Sequence, residues 1–67
     1  MRASTVAGYR IEVKFCYERG AYFARVKSPD GLQLLSEQVD AVDLDGAWKF
    51  AVGCARADAL WAFKAAE

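Results

Sequence analysis

Sixty-seven residues are enough for one domain, close to the lower limit at which a core with no disulfide or metal offsets chain entropy. With 55% hydrophobic and 13% aromatic residues the chain is too apolar for a disordered tail, and nine Lys plus Arg balance nine Asp plus Glu, which excludes strong long-range attraction to nucleic acid or to an anionic membrane. There is no His, so Ser-His and Cys-His nucleophile pairs, Cys/His zinc sites and a His general base are excluded as well.

Charge is nonetheless unevenly spread. Residues 1 to 28 hold Arg2, Arg10, Lys14, Arg19, Arg25 and Lys27 against Glu12 and Glu18, a balance of +4, and the remainder carries −4. Two cysteines are too few for a disulfide framework, and Met1 to Gly8 is short, polar and without an apolar core. A cytoplasmic protein with reduced thiols and no membrane span is expected.

In chain order, residues 1–8 read as a flexible N-terminal segment. A first strand follows over residues 9–18, because Tyr9, Ile11, Val13, Phe15 and Tyr17 alternate with Arg10, Glu12, Lys14, Cys16 and Glu18. A short connection ending at Gly20 leads into a second strand over residues 21–28, with Tyr22, Ala24 and Val26 inward and Phe23, Arg25 and Lys27 outward. Ser28-Pro29-Asp30-Gly31 is a turn: Pro presets φ at its second position and Gly accepts a left-handed exit.

The third strand is expected over residues 32–37, where adjacent Leu34 and Leu35 leave its inward register open. Val39 and Val42 are expected to tuck under a helix that runs over residues 44–66, capped by Asp43 and complemented by Asp45. The fold class is therefore α+β: a three-stranded antiparallel sheet packed by one long C-terminal helix, in a single domain. Such a helix would reach roughly 34 Å, against about 23 Å for strands of seven residues, so it overhangs the sheet unless it breaks near Gly53.

Placed at 100° intervals, Leu44, Ala47, Trp48, Ala51, Val52, Ala55, Ala59, Ala62 and Phe63 cover the sheet-facing side. Phe50, Cys54, Ala57 and Trp61 widen the apolar arc to roughly 240°, far beyond the 100° or so needed to cover one sheet. That width predicts a second covered surface, and these four residues are the candidate interface of a homodimer or of another protein partner. Asp58 falls inside the arc and needs a mate, with Arg25, Arg56 or a subunit neighbour the natural choices.

A second candidate surface is the outward sheet face. Arg10, Lys14, Arg25 and Lys27 would gather around Phe23, a pattern that can hold phosphates and stack a base of single-stranded nucleic acid. Glu12 and Glu18 would share that face and pair with the cations, the ordinary arrangement of a solvated sheet. Glu37, Asp40, Asp43 and Asp45 lack the spacing of a calcium loop and read as helix-capping acids rather than metal ligands. Cys16 on a strand and Cys54 on the helix are not expected to be neighbours. No cofactor and no catalytic constellation is expected, and the chain reads as a non-enzymatic interaction module.

The order strand, strand, strand, helix, opening on Tyr9-Arg10-Ile11-Glu12-Val13 and closing with Trp48, Ala55-Arg56-Ala57 and Trp61, resembles a group of short uncharacterised proteobacterial proteins. More remotely, hairpin and helix resemble the small domain of HicB-type antitoxins, which neutralise a partner ribonuclease. That resemblance implies neutralisation of a partner protein, although the chain lacks the Pro-Gly-Cys segment, the Glu-Glu-Ala helix start and the DNA-binding segment of those antitoxins, and no functional residue carries over.

Overall fold

The computed structural model describes residues 1–66, with side chains described through residue 62. Four strands, β1 (Arg2–Val6), β2 (Tyr9–Cys16), β3 (Ala21–Lys27) and β4 (Gln33–Val39), are followed by one helix, α1 (Leu44–Ala66). The strands form one antiparallel sheet in the order β1-β2-β3-β4, so each connection is a hairpin and both outer strands are edges. The helix crosses one face of this meander.

The N-terminal segment corrects the expectation of three strands. Residues 2–6 pair with residues 9–13 of β2 in a tight hairpin, whose two central residues both have positive φ, Ala7 at 52° and Gly8 at 85°. That is the conformation a two-residue hairpin needs in order to match strand twist. Ala is a poor choice for it, since a Cβ makes the left-handed region costly, so the turn lacks the Asn-Gly signature that would have announced it. Ser4, Thr5 and Val6, two of them β-branched, are the signal that remained.

β2 stops at Cys16 rather than at residue 18. Tyr17 to Gly20 form the turn, with the Arg19 amide donating to the Cys16 carbonyl at 3.3 Å and Gly20 at φ 61°. Tyr17 therefore lies 88% exposed instead of facing the core, and Phe15, also expected inward, is 38% exposed. Phe15 stacks edge-on against both Tyr17 and Tyr22, at centroid distances of 5.1 and 5.0 Å. The Ser28–Gly31 turn forms as expected: the Gly31 amide donates to the Ser28 carbonyl at 2.9 Å, and Gly31 has φ 86°.

β4 runs to Val39, because Gln38 and Val39 pair with Phe23 and Tyr22. A bulge beside Lys27 resolves the double leucine: Leu35 pairs with Val26, Gln33 pairs with Lys27, and Leu34 is the extra residue between them. Both leucines are half-buried and pack against the core. Val42, expected under the helix, is 97% exposed.

The core lies between the sheet and α1. Tyr9, Ile11 and Val13 from β2, Ala24 and Val26 from β3 and Val39 from β4 meet Ala47, Trp48, Ala51 and Ala55. The helix side is built mainly from Ala at every fourth position, which lets the helix axis settle close to the branched side chains of the sheet. Asp43 caps α1 as anticipated, its Oδ1 accepting from the Gly46 amide at 2.7 Å.

The helix is continuous through Gly53. Tyr9, at the first position of β2, meets Asp58, so the eight residues beyond Asp58 carry α1 roughly 12 Å further, toward and past the end of the sheet. The chain measures 44 × 19 × 16 Å, and its radius of gyration of 12.3 Å exceeds the value of about 11 Å for a compact domain of this length. Among the described residues, no helix is long and apolar enough to cross a membrane.

Candidate functional site

Alternation along the strands sends Arg10, Glu12, Lys14 and Cys16 of β2 and Ala21, Phe23, Arg25 and Lys27 of β3 to the face away from α1. The register sets Arg10 beside Lys27, Glu12 beside Arg25 and Lys14 beside Phe23. All four expected cations therefore meet on one surface around the expected aromatic. Phe23 is half-buried, and the Lys14 ammonium stands 6.0 Å from its ring centroid. A small hollow on this face is lined by Met1, Glu12, Lys14, Phe23 and Arg25.

The acids distribute differently from expectation. Arg10 Nε donates to Glu12 at 3.1 Å within one strand, an exposed pair that contributes little stability. Glu18 belongs to the turn and is exposed there, so Glu12 is the one strand acid among the cations. Among the described residues Lys14, Arg25 and Lys27 make no ion pair. Of the four acids near the helix start, Asp43 caps, Asp45 pairs with Lys49 at 3.1 Å, and Glu37 occupies the helix-facing side of β4. Among the described residues, no group of three or more acids or cysteines is placed to hold a metal ion.

The second surface is one flank of α1. Phe50 is 48% exposed, Cys54 half-buried, Ala57 exposed and Trp61 72% exposed. They recur at spacings of four, three and four residues and so form a continuous stripe, with Leu60, 58% exposed, next to its distal end. Trp48, on the opposite flank, is a core residue at 8% exposure. Phe63, expected to face the sheet, lies outside the described side chains. Cys16 and Cys54 are both free. Burial pushes the Cys54 thiol above its ordinary value, and the negative charge of Glu37 adds to the shift.

Within the chain, Asp58 pairs with neither Arg25 nor Arg56. The Tyr9 hydroxyl donates to its Oδ2 at 2.6 Å, joining the start of β2 to the last turns of α1 that cover the sheet. Arg25 could not have served, since it lies on the other face. A charge-assisted bond of this length tethers the point where the helix leaves the sheet. The bond to Asp58 raises the Tyr9 pKa, and burial and the negative charges of Asp58 and Asp30 raise it further. Folding thus holds the phenol proton more firmly than the unfolded chain does. The resulting stability is complete below the ordinary tyrosine value of about 10 and is lost as pH rises through the higher folded-state value. Tyr9→Phe should lower the melting temperature at neutral pH and flatten the alkaline decline of the parent; equal alkaline slopes in parallel melts would contradict the assignment.

Arg2 is the contact that sequence patterning missed. Its guanidinium lies 4.2 Å from the Trp48 ring centroid, closing the β1 side of the core with a cation–π contact. Recognising it required knowing that residues 2–6 form a strand.

The elongated shape shows in the total surface as well. The chain exposes 4816 Å², whereas a folded monomer of its mass exposes about 4,200 Å². Compared with known proteins, the chain matches no family model, no curated protein and no solved structure.

Proposed function

We propose that the protein is a non-enzymatic interaction module that self-associates. The observation carrying this reading is the apolar flank of α1, which the chain's own sheet leaves uncovered while the molecule holds more surface than its mass requires. Small domains gain little from a single core, and a second copy supplies the missing burial without enlarging the chain. The test is sedimentation equilibrium over a dilution series: a reversible species near twice 7.4 kDa supports the reading, and a uniform 7.4 kDa species removes it.

A second reading rests on a different observation, the gathering of Lys14, Arg25 and Lys27, none of them ion-paired among the described residues, around the half-buried Phe23. On this reading the outward sheet face binds single-stranded nucleic acid, with phosphates on the cations and a base on the ring. The balanced net charge keeps the affinity low and salt-sensitive. Arg25→Glu combined with Lys27→Glu should weaken binding of a labelled oligonucleotide by more than about tenfold at low salt. Absence of binding by the parent protein would end this second reading without touching the first.

A further inference from the structure

The exposed apolar stripe of α1 could in principle meet either of two things on a second copy: the same stripe, or other exposed apolar residues such as Tyr17, Leu32 and Val42. We infer that it meets itself, so that the protein forms a closed two-fold dimer with Cys54 near the symmetry axis. This inference rests on the self-association reading and specifies its geometry.

Three observations carry it. The stripe reads large, small, small, large along the helix: Phe50, Cys54, Ala57, Trp61. Apposed to its own copy in either helix direction, that order sets aromatic against aromatic at the ends and small against small in the middle. The surface is thus self-complementary, as a two-fold interface must be. Second, the spacing of four, three and four residues is the 3.5-residue repeat by which two helices keep one seam in contact. The small centre, with the neighbouring Gly53 exposed and a Cβ there meeting nothing within 4 Å, lets the axes approach to the short end of the 8–10 Å range.

Third, the alternative partners are poorly suited to a seam. Tyr17, Leu32 and Val42 are 88%, 65% and 97% exposed, each in a separate connection between elements. A helix flank docked on them would be a head-to-tail contact, which extends into chains unless its rotation happens to close.

The prediction is read at Cys54. Paired helices with this seam place the two Cys54 residues either directly opposite or about 4.5 Å apart along the axis, near enough for a short bifunctional maleimide to join them. The Cys16→Ser protein, with Cys54 as its single thiol, is treated at mildly alkaline pH, where a larger fraction of the half-buried thiol is ionised. A covalent dimer is expected in high yield, with no larger adducts, and its yield should fall on dilution. The Cys54→Ser protein, with Cys16 on the outward sheet face, should give at least about tenfold less. Ala57→Glu, introduced into the Cys16→Ser protein, places an uncompensated carboxylate on each side of the seam and should raise the dissociation constant by at least about tenfold.

A dimeric mass in solution without Cys54 cross-linking, or a ladder of higher oligomers, would overturn the two-fold seam and leave self-association standing. A monomer at every concentration would remove both. Circular dichroism of each variant separates a lost interface from a lost fold.

Discussion

Ile11→Ala should lower the unfolding free energy by about 2–5 kcal/mol, a large share of the roughly 3–10 kcal/mol expected of a chain this short. Ile11 has no exposed surface and is the largest of the fully buried side chains, ahead of Val13 and Val26. It pairs with Ser4 on one side and Val26 on the other, and the sheet there is held rigid by both neighbours. Collapse around the deleted atoms is therefore limited, which keeps the cost of the cavity high. Urea denaturation followed by circular dichroism measures it. Ile11→Val should cost only about 0.5–1.5 kcal/mol, so the ordering of the two variants checks the cavity argument independently of the total.

Trp61→Glu should behave in the opposite way, leaving the fold intact and abolishing association. In the single chain Trp61 is 72% exposed and lies beyond the Tyr9–Asp58 tether, so its removal takes little from the core. Unfolding of the isolated chain should change by no more than about 0.5 kcal/mol. At an interface the same substitution removes an aromatic anchor and introduces a desolvated charge, together worth at least about 2 kcal/mol and so more than tenfold in the dissociation constant. A variant that still associates as tightly as the parent would show that the helix flank is not the contact surface.

These two residues also mark what patterning along the chain could and could not reveal. Ile11 was legible because strict alternation over β2 has one explanation, a half-buried strand, and the Ser-Pro-Asp-Gly turn and the Asp43 cap were legible through equally local chemistry. The first strand was not, since a hairpin turning on Ala7-Gly8 carries no conventional signature, and with it went Arg2, whose role depends on β1 placing it beside Trp48. The register of β4 was similarly hidden: adjacent leucines are ambiguous until pairing with β3 reveals a bulge. Tyr17 is exposed because alternation along the sequence continues past the point where backbone pairing ends, whereas Val42, placed under the helix only by its position in the connector, lies beyond the last paired residue of β4.

The candidate surfaces divide along the same line. Arg10, Lys14, Phe23, Arg25 and Lys27 follow from side-chain alternation alone, and all five share the outward face. Their ionic environment depended on where Glu18 and Glu37 fall, one in a turn and one on the helix side of β4. The Phe50–Trp61 stripe followed from helical geometry, whereas the partner of Asp58 could be identified only once β2 and α1 were seen to run in opposite directions, which brings residue 9 to residue 58.

The most direct measurement is molar mass by light scattering of the parent and Trp61→Glu proteins, side by side, over one dilution series. The parent should approach twice 7.4 kDa at high concentration and fall toward 7.4 kDa on dilution, while Trp61→Glu stays at 7.4 kDa with an unchanged circular dichroism spectrum. A parent protein that remains at 7.4 kDa throughout, or a variant that dimerises as the parent does, would contradict the account.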